Sequence, residues 1–211
     1  AHFTMGGLWS DYDMMTSVPG LFVAGEAGNG YHGANRLGAN SLLSACVDGW
    51  FTLPHSVPNW LAGLGSVPLL APDAPASQAS IAAVNDRVEL FLSNDGSVRP
   101  ATFHRRLGAL LYTGCGVARS ASSLTDTLER VRELRAEFWR DVKVDGRAGQ
   151  INQELEKAGR VADFLELAEL MVVDALDRTE SCGAHFRAEH VLPDGEARRD
   201  DVHWANVSAW E

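Results

Sequence analysis

The side chains best suited to chemistry crowd into one stretch, Tyr31-His32-Gly33-Ala34-Asn35-Arg36-Leu37-Gly38-Ala39-Asn40-Ser41-Leu42-Leu43. Arg36 offers a rigid fork of N–H donors that can grip a carboxylate through two parallel bonds. Upstream, the apolar run from Leu21 to Ala24 ends in Gly25 and the carboxylate of Glu26. Polar groups thus gather where a short strand gives way to a helix, the place where open α/β sheets bind ligands. A helix starting near Asn40 or Ser41 would aim its unpaired N–H groups, and its positive dipole end, at whatever lies there. On residue types alone Arg36 has two readings: a carboxylate clamp, or a structural ion pair with Glu26 or an aspartate.

The elements that must hold these residues follow from pattern. Met5-Gly6-Gly7 is a turn signal, Trp9 to Tyr12 a short strand, Met14 to Gly20 a loop, and Leu21 to Ala24 a buried strand. Ser41 to Phe51 is apolar nearly all round, as a helix packed under a sheet would be. From Pro54 to about Ser80 the chain is rich in Pro, Ala, Gly and Ser, which predicts an irregular connection. Ile81 to Leu92 has a weak helical pattern. Beyond Pro100 the period is plainly helical. One helix carries Phe103, Leu107, Leu110 and Leu111 and stops at Gly114 and Gly116. A second places Leu124, Leu128, Val131, Leu134, Phe138 and Val142 three and four apart. A third runs from about Gln153 to Asp177 with Leu155, Val161, Leu165, Ala168, Val172 and Leu176 inward. Short turns between them predict an antiparallel three-helix bundle. The fold class is therefore an α/β segment followed by a mainly α-helical domain: residues 1–53, a linker over 54–85, and a helical domain over 86–211 whose tail is irregular.

Composition narrows the function. The net charge of −10 over 211 residues argues against a nucleic-acid surface. No apolar run reaches the roughly 18 residues of a membrane span. The three cysteines, Cys46, Cys115 and Cys182, have no metal-ligand spacing. That pattern predicts reduced thiols in the cytoplasm and no bound metal.

Three motifs, His2-Phe3-Thr4-Met5-Gly6-Gly7, Pro19 to Glu26 and His32 to Leu43, resemble consecutive signatures of the succinate dehydrogenase and fumarate reductase flavoprotein subunits, with L-aspartate oxidase a close relative. Gly116-Val117-Ala118-Arg119, the stretch Arg178 to Arg187, and Asp200 to Trp204 resemble later signatures of the same group. Cys182 departs from the arginine usual there, and Ala27-Gly28-Asn29-Gly30 is shorter and richer in glycine than the pattern. The resemblance implies that residues 1–53 end an FAD-binding and capping region, and that the rest of the site lies in a longer N-terminal part of the flavoprotein. A flavin-tethering histidine and a general-acid arginine are expected there, so no catalytic residue is assigned to this chain and the isolated chain is expected to be inactive.

The resemblance also implies roles. His2 and Arg36 bind a C4 dicarboxylate, succinate or fumarate. Glu26 accepts hydrogen bonds from the flavin's ribityl chain, and Ser41 and Leu42 reach the flavin ring through their backbone. His32 and Asn40 are neighbours of the site. Taken without the resemblance, Ser41 is a helix cap and Leu42 a core residue. Glu180, His185 and Arg187 either tie the helical domain to the flavin domain or to a partner subunit, or form a solvated turn with local ion pairs. The implied partners are an iron–sulfur subunit and, through it, a membrane anchor with quinone, which would hold the protein on the inner face of a bacterial plasma membrane. L-Aspartate oxidase and a non-enzymatic helical interaction module remain the alternatives.

Overall fold

Helices carry most of the chain, and the computed structural model describes residues 6–28, 32–66 and 70–210. The chain divides into two compact units. One holds residues 1–69, 182–184 and 201–211, and the other residues 70–181 and 185–200.

In the first unit the backbone is pinned by single bridges. Leu8 pairs with Gly28, Ser10 with Thr16, and Met15 with Phe22. The strands predicted at Trp9–Tyr12 and Leu21–Ala24 therefore shrink to isolated pairings. Leu21 is exposed and only Val23 of that run is buried, so one layer covers one face and no ladder propagates. Helix α1 (Asn40–Val47) passes through a π-helical turn, Asp48–Thr52, into α2 (Leu53–Leu64). Trp60 of α2 packs edge-on against Phe22 and lies against Gly20, where a Cβ would come within 2.7 Å of the indole.

Two expectations fail here. The apolar helix predicted to be buried has no buried residue within α1; Leu42 is 70% exposed, Trp50 78% and Phe51 63%. No described layer covers them. The predicted linker over 54–85 contains α2 and the first half of α3 (Pro75–Ser93). Pro75 stands in the first turn of α3, where proline's missing N–H removes no bond, whereas Pro54 and Pro58 lie in α2, which continues the π-helical turn. The composition hid α2 and the start of α3, whose later part the weak pattern at Ile81 to Leu92 marks.

The second unit is the bundle the sequence predicts. Helices α4 (Pro100–Gly114), α5 (Ala121–Asp141) and α6 (Gln153–Asp177) enclose Phe103, Leu107, Val131, Phe138, Val161 and Leu165, with Phe91 of α3 added at one side. Phe103 and Phe138 meet edge to face at 5.2 Å. Ser120 and Ser123 close the start of α5 as a reciprocal cap, and Asn152 caps α6. After α6 the tail returns as β2 (Phe186–Arg187), parallel to β1 (Ala118–Arg119). Pro193-Asp194-Gly195 closes a small hairpin in the tail, with Val191 bridging Ala197.

Candidate functional site

Glu26 sits in a 3-10 turn, Gly25–Ala27. Gly25 holds φ +61, and a Cβ there would lie 3.1 Å from Ala45 Cβ of α1. Glycine thus permits both the left-handed backbone and the approach of the helix. The Gly25 N–H donates to Asp48 Oδ2 at 2.8 Å, and Asp48 is buried. Asp48 opens the π-helical turn, an irregularity frequent at functional sites. Sequence reasoning missed it. The available signal was a lone carboxylate inside an apolar run.

His32 joins the same cluster. Its Nε2 lies 3.1 Å from Glu26 Oε2 and 3.3 Å from Ser44 Oγ. The Ser44 hydroxyl donates to Ser41 O. His32 Nε2 thus lies at ion-pair distance from Glu26, although Glu26 Oε2 accepts no hydrogen bond among the described residues.

Helix α1 opens at Asn40, as predicted. The residue before it, Ala39, takes φ +65 and offers no side-chain cap. Asn40 N–H turns back to Leu37 O, and Leu43 N–H bonds Ala39 O. Helix geometry leaves the N–H groups of Ser41 and Leu42 without intrahelical acceptors. Ser41 is thus not the cap, and Leu42 is not a core residue; both lie in an open first turn. Arg36, partly buried, stands in the loop between His32 and α1, its Nη1 donating to Leu37 O at 3.2 Å. His2 lies outside the described residues. Residues 28–33 spell Gly-x-Gly-x-x-Gly, but a 3-10 turn precedes Gly28 and α1 opens only at Asn40. The dinucleotide fingerprint instead joins a strand directly to a helix.

The tail residues make ion pairs and hydrogen bonds within the helical unit, and these are buried rather than solvated. Glu180 and Arg187 are each 2% exposed. Glu180 accepts from Arg178 Nη1 and from Asp200 N–H. His185 donates from Nε2 to Arg178 O and accepts at Nδ1 from Arg119. Burial, reinforced by the Arg119, Arg187 and Arg178 charges, lowers its pKa against the opposing pull of the bond to Arg178 O. Among the described residues no cluster of three or more His, Cys, Asp or Glu could hold a metal, and no helix is long and apolar enough to cross a membrane.

Two families match this chain. The one described as "Fumarate reductase flavoprotein C-term" matches residues 104–211, and "FAD binding domain" matches residues 1–42. This chain belongs to the succinate dehydrogenase and fumarate reductase flavoprotein family. It is 35% identical to the succinate dehydrogenase flavoprotein subunit of Bacillus subtilis, over 95% of this chain and 33% of that protein. The fumarate reductase flavoprotein subunit of Escherichia coli is 33% identical over 97% of this chain and 32% of its own length. A solved E. coli quinol fumarate reductase superposes with a TM-score of 0.82 at 33% identity, covering 97% of this chain and 33% of that one. A Mycobacterium smegmatis Sdh1 complex gives 0.71 at 29% identity, over 83% and 28%. The chain spans about a third of the length of these relatives.

Proposed function

We propose that this chain is the C-terminal part of an FAD-dependent oxidoreductase that interconverts succinate and fumarate. Residues 1–53 are assigned to the end of its FAD-binding and capping region, and residues 86–211 to its helical C-terminal domain. The observation that carries the reading is the open first turn of α1, placed directly after the Arg36 loop and beside the paired Glu26 and His32.

These groups suit a flavin. The N–H groups of Ser41 and Leu42, at the positive end of α1, suit the negative charge that a reduced flavin ring carries. Glu26, at ion-pair distance from His32, is an acceptor for ribityl hydroxyls. FAD supplies the two-electron acceptor or donor for the C2–C3 unit of the substrate. Arg36 grips one carboxylate of that substrate with its fork and, with His2, orients and polarises it. Electrons pass to an iron–sulfur subunit and through it to a quinone-containing membrane anchor. On this reading the flavoprotein sits peripherally on the cytoplasmic face of the membrane. Solved relatives described as quinol–fumarate reductase with menaquinol and as Sdh1 with UQ1 support that assembly.

The test uses the complete flavoprotein. Arg36→Ala leaves a folded, flavin-loaded enzyme whose kcat/KM for succinate falls roughly 30-fold to several thousand-fold, because truncating one side of a desolvated charge pair costs on the order of 2–5 kcal/mol. Arg36→Lys recovers only part, since an ammonium keeps the charge and loses the fork. Near-normal kcat/KM with lowered melting temperature and flavin content would make Arg36 a structural ion pair. Turnover of L-aspartate in place of succinate would move the chain to the oxidase branch.

A further inference from the structure

The tail reaches the substrate loop at one backbone contact. Ala184 N–H donates to Ala34 O at 3.1 Å. The neighbouring Gly183 holds φ +58, and a Cβ built there would lie 2.6 Å from Ala34 O and 2.8 Å from Ala34 C. Those are backbone atoms, which cannot swing aside as the end of a flexible side chain can. Ala34 lies two residues before Arg36, in a turn where Gly33 itself takes φ +59.

We propose that Cys182-Gly183-Ala184 is a positioning segment for Arg36, whose glycine lets the tail backbone seat against Ala34 and fix the reach of the guanidinium. The inference rests on the reading of Arg36 as a carboxylate clamp. The residues on either side in sequence are well anchored. Ser181 N–H donates to Arg198 O, and its hydroxyl bonds both the N–H and the C=O of Arg187. His185 is held by Arg178 O and Arg119. A substituent on Gly183 would drive Ala34 away and carry the Arg36 loop with it. A displacement of about 1 Å at a substrate-orienting group can lower turnover on the order of 100-fold.

The experiment titrates the complete, flavin-loaded protein with malonate, a dicarboxylate lacking the C–C unit that is oxidised, and follows flavin absorbance. Arg36→Ala and Gly183→Ala should each weaken malonate binding, the latter by about tenfold or more. Gly183→Asn should match Gly183→Ala, because asparagine accepts the left-handed backbone but still carries a Cβ. KM for succinate should rise with kcat/KM, while flavin content per folded molecule stays at the wild-type level. A purely structural glycine would lower melting temperature and flavin content and leave the malonate Kd of the loaded fraction unchanged. Weakening by Arg36→Ala without any effect of Gly183→Ala overturns the positioning role and keeps the clamp. No effect of Arg36→Ala removes the clamp, and this inference with it. Hydrogen exchange of the wild-type protein covers variants that fail to fold. Malonate should slow exchange of the Ala184 amide together with residues 33–37, and protection confined to 33–37 would overturn the proposal.

Discussion

A buried arginine finishes the last turn of α6. Arg187 Nη1 donates to the carbonyls of Ala175, Leu176 and Arg178 at 3.0, 3.1 and 3.2 Å. Carbonyls at a helix C-terminus lack intrahelical donors, and a cation there meets the negative end of the dipole. Nε and Nη2 of the same side chain reach Glu189 Oε1, which also accepts the Ala121 N–H at the start of α5. One partly exposed carboxylate therefore ties the start of α5 to the end of α6. Burial works against its charge, but the hydrogen bonds from Arg187, its own backbone and Ala121 prevail and hold the Glu189 pKa at about 2. A carboxylate with a lowered folded pKa contributes stability that is complete above its ordinary value of 4.5 and is lost as pH falls towards about 2. Glu189→Gln should destabilise the chain at pH 7 by about 1 kcal/mol, because solvent screens the exposed Glu189 carboxylate. The gap between wild type and variant should shrink below about pH 4.5 and close near pH 2. Chemical denaturation of both proteins across that window decides it; a gap that ignores pH would show that the charge of Glu189 does nothing for the fold.

At the scale of elements, α4 and α5 approach each other at a glycine. A Cβ on Gly114 would lie 1.8 Å from Thr127 Oγ1. Thr127 is buried and bonded through that oxygen to Ser123 O at 2.7 Å, so turning the oxygen away would break that bond. Gly114→Ala gains helix propensity, worth at most about 1 kcal/mol, and loses about 1–3 kcal/mol to overpacking. The net effect should be destabilising. Thr127→Ala should recover part of it in the double variant, a favourable coupling that a double-mutant cycle reads directly; purely additive changes would refute the contact.

The bundle helices are legible in sequence because each repeats apolar residues at three and four and is bracketed by its own punctuation, Pro100 and Gly114, Ser120, Asn152. Helix α2 is not, since Pro54 and Pro58 lie within it and few of its side chains are buried, and of α3 only Ile81 to Leu92 shows a weak helical pattern. The same holds for the site. Arg36, Glu26 and Asn40 stand out by type and local spacing. Asp48 and Gly183 act through backbone contacts to Gly25 and Ala34, far away in sequence, and such contacts leave no local pattern.

At the scale of the whole molecule, the two units differ in how much of their apolar surface they cover. The helical unit buries its aromatic and aliphatic side chains around Phe103 and Phe138. The unit holding the site leaves Leu42, Leu43, Trp50 and Phe51 exposed on α1 and the turn after it. On the proposed reading, the first turn of α1, the Glu26–His32 pair and the Arg36 loop are what this chain would offer a flavin. A dinucleotide needs a concave site that buries most of its surface, and Leu42 in that first turn is 70% exposed. The second unit closes a core of its own around Phe103 and Phe138. The 211-residue chain, purified alone, should therefore show a cooperative helical melt and no stoichiometric flavin absorbance near 450 nm. It should also show no succinate-dependent reduction of an artificial dye when FAD is added. The complete flavoprotein should do both. Stoichiometric flavin in the isolated chain would show that the open turn of α1 and its neighbours suffice to hold the cofactor. A chain with neither flavin nor a cooperative melt would instead show that the helical unit depends on surfaces outside it, because a unit with its own closed core unfolds as one cooperative transition.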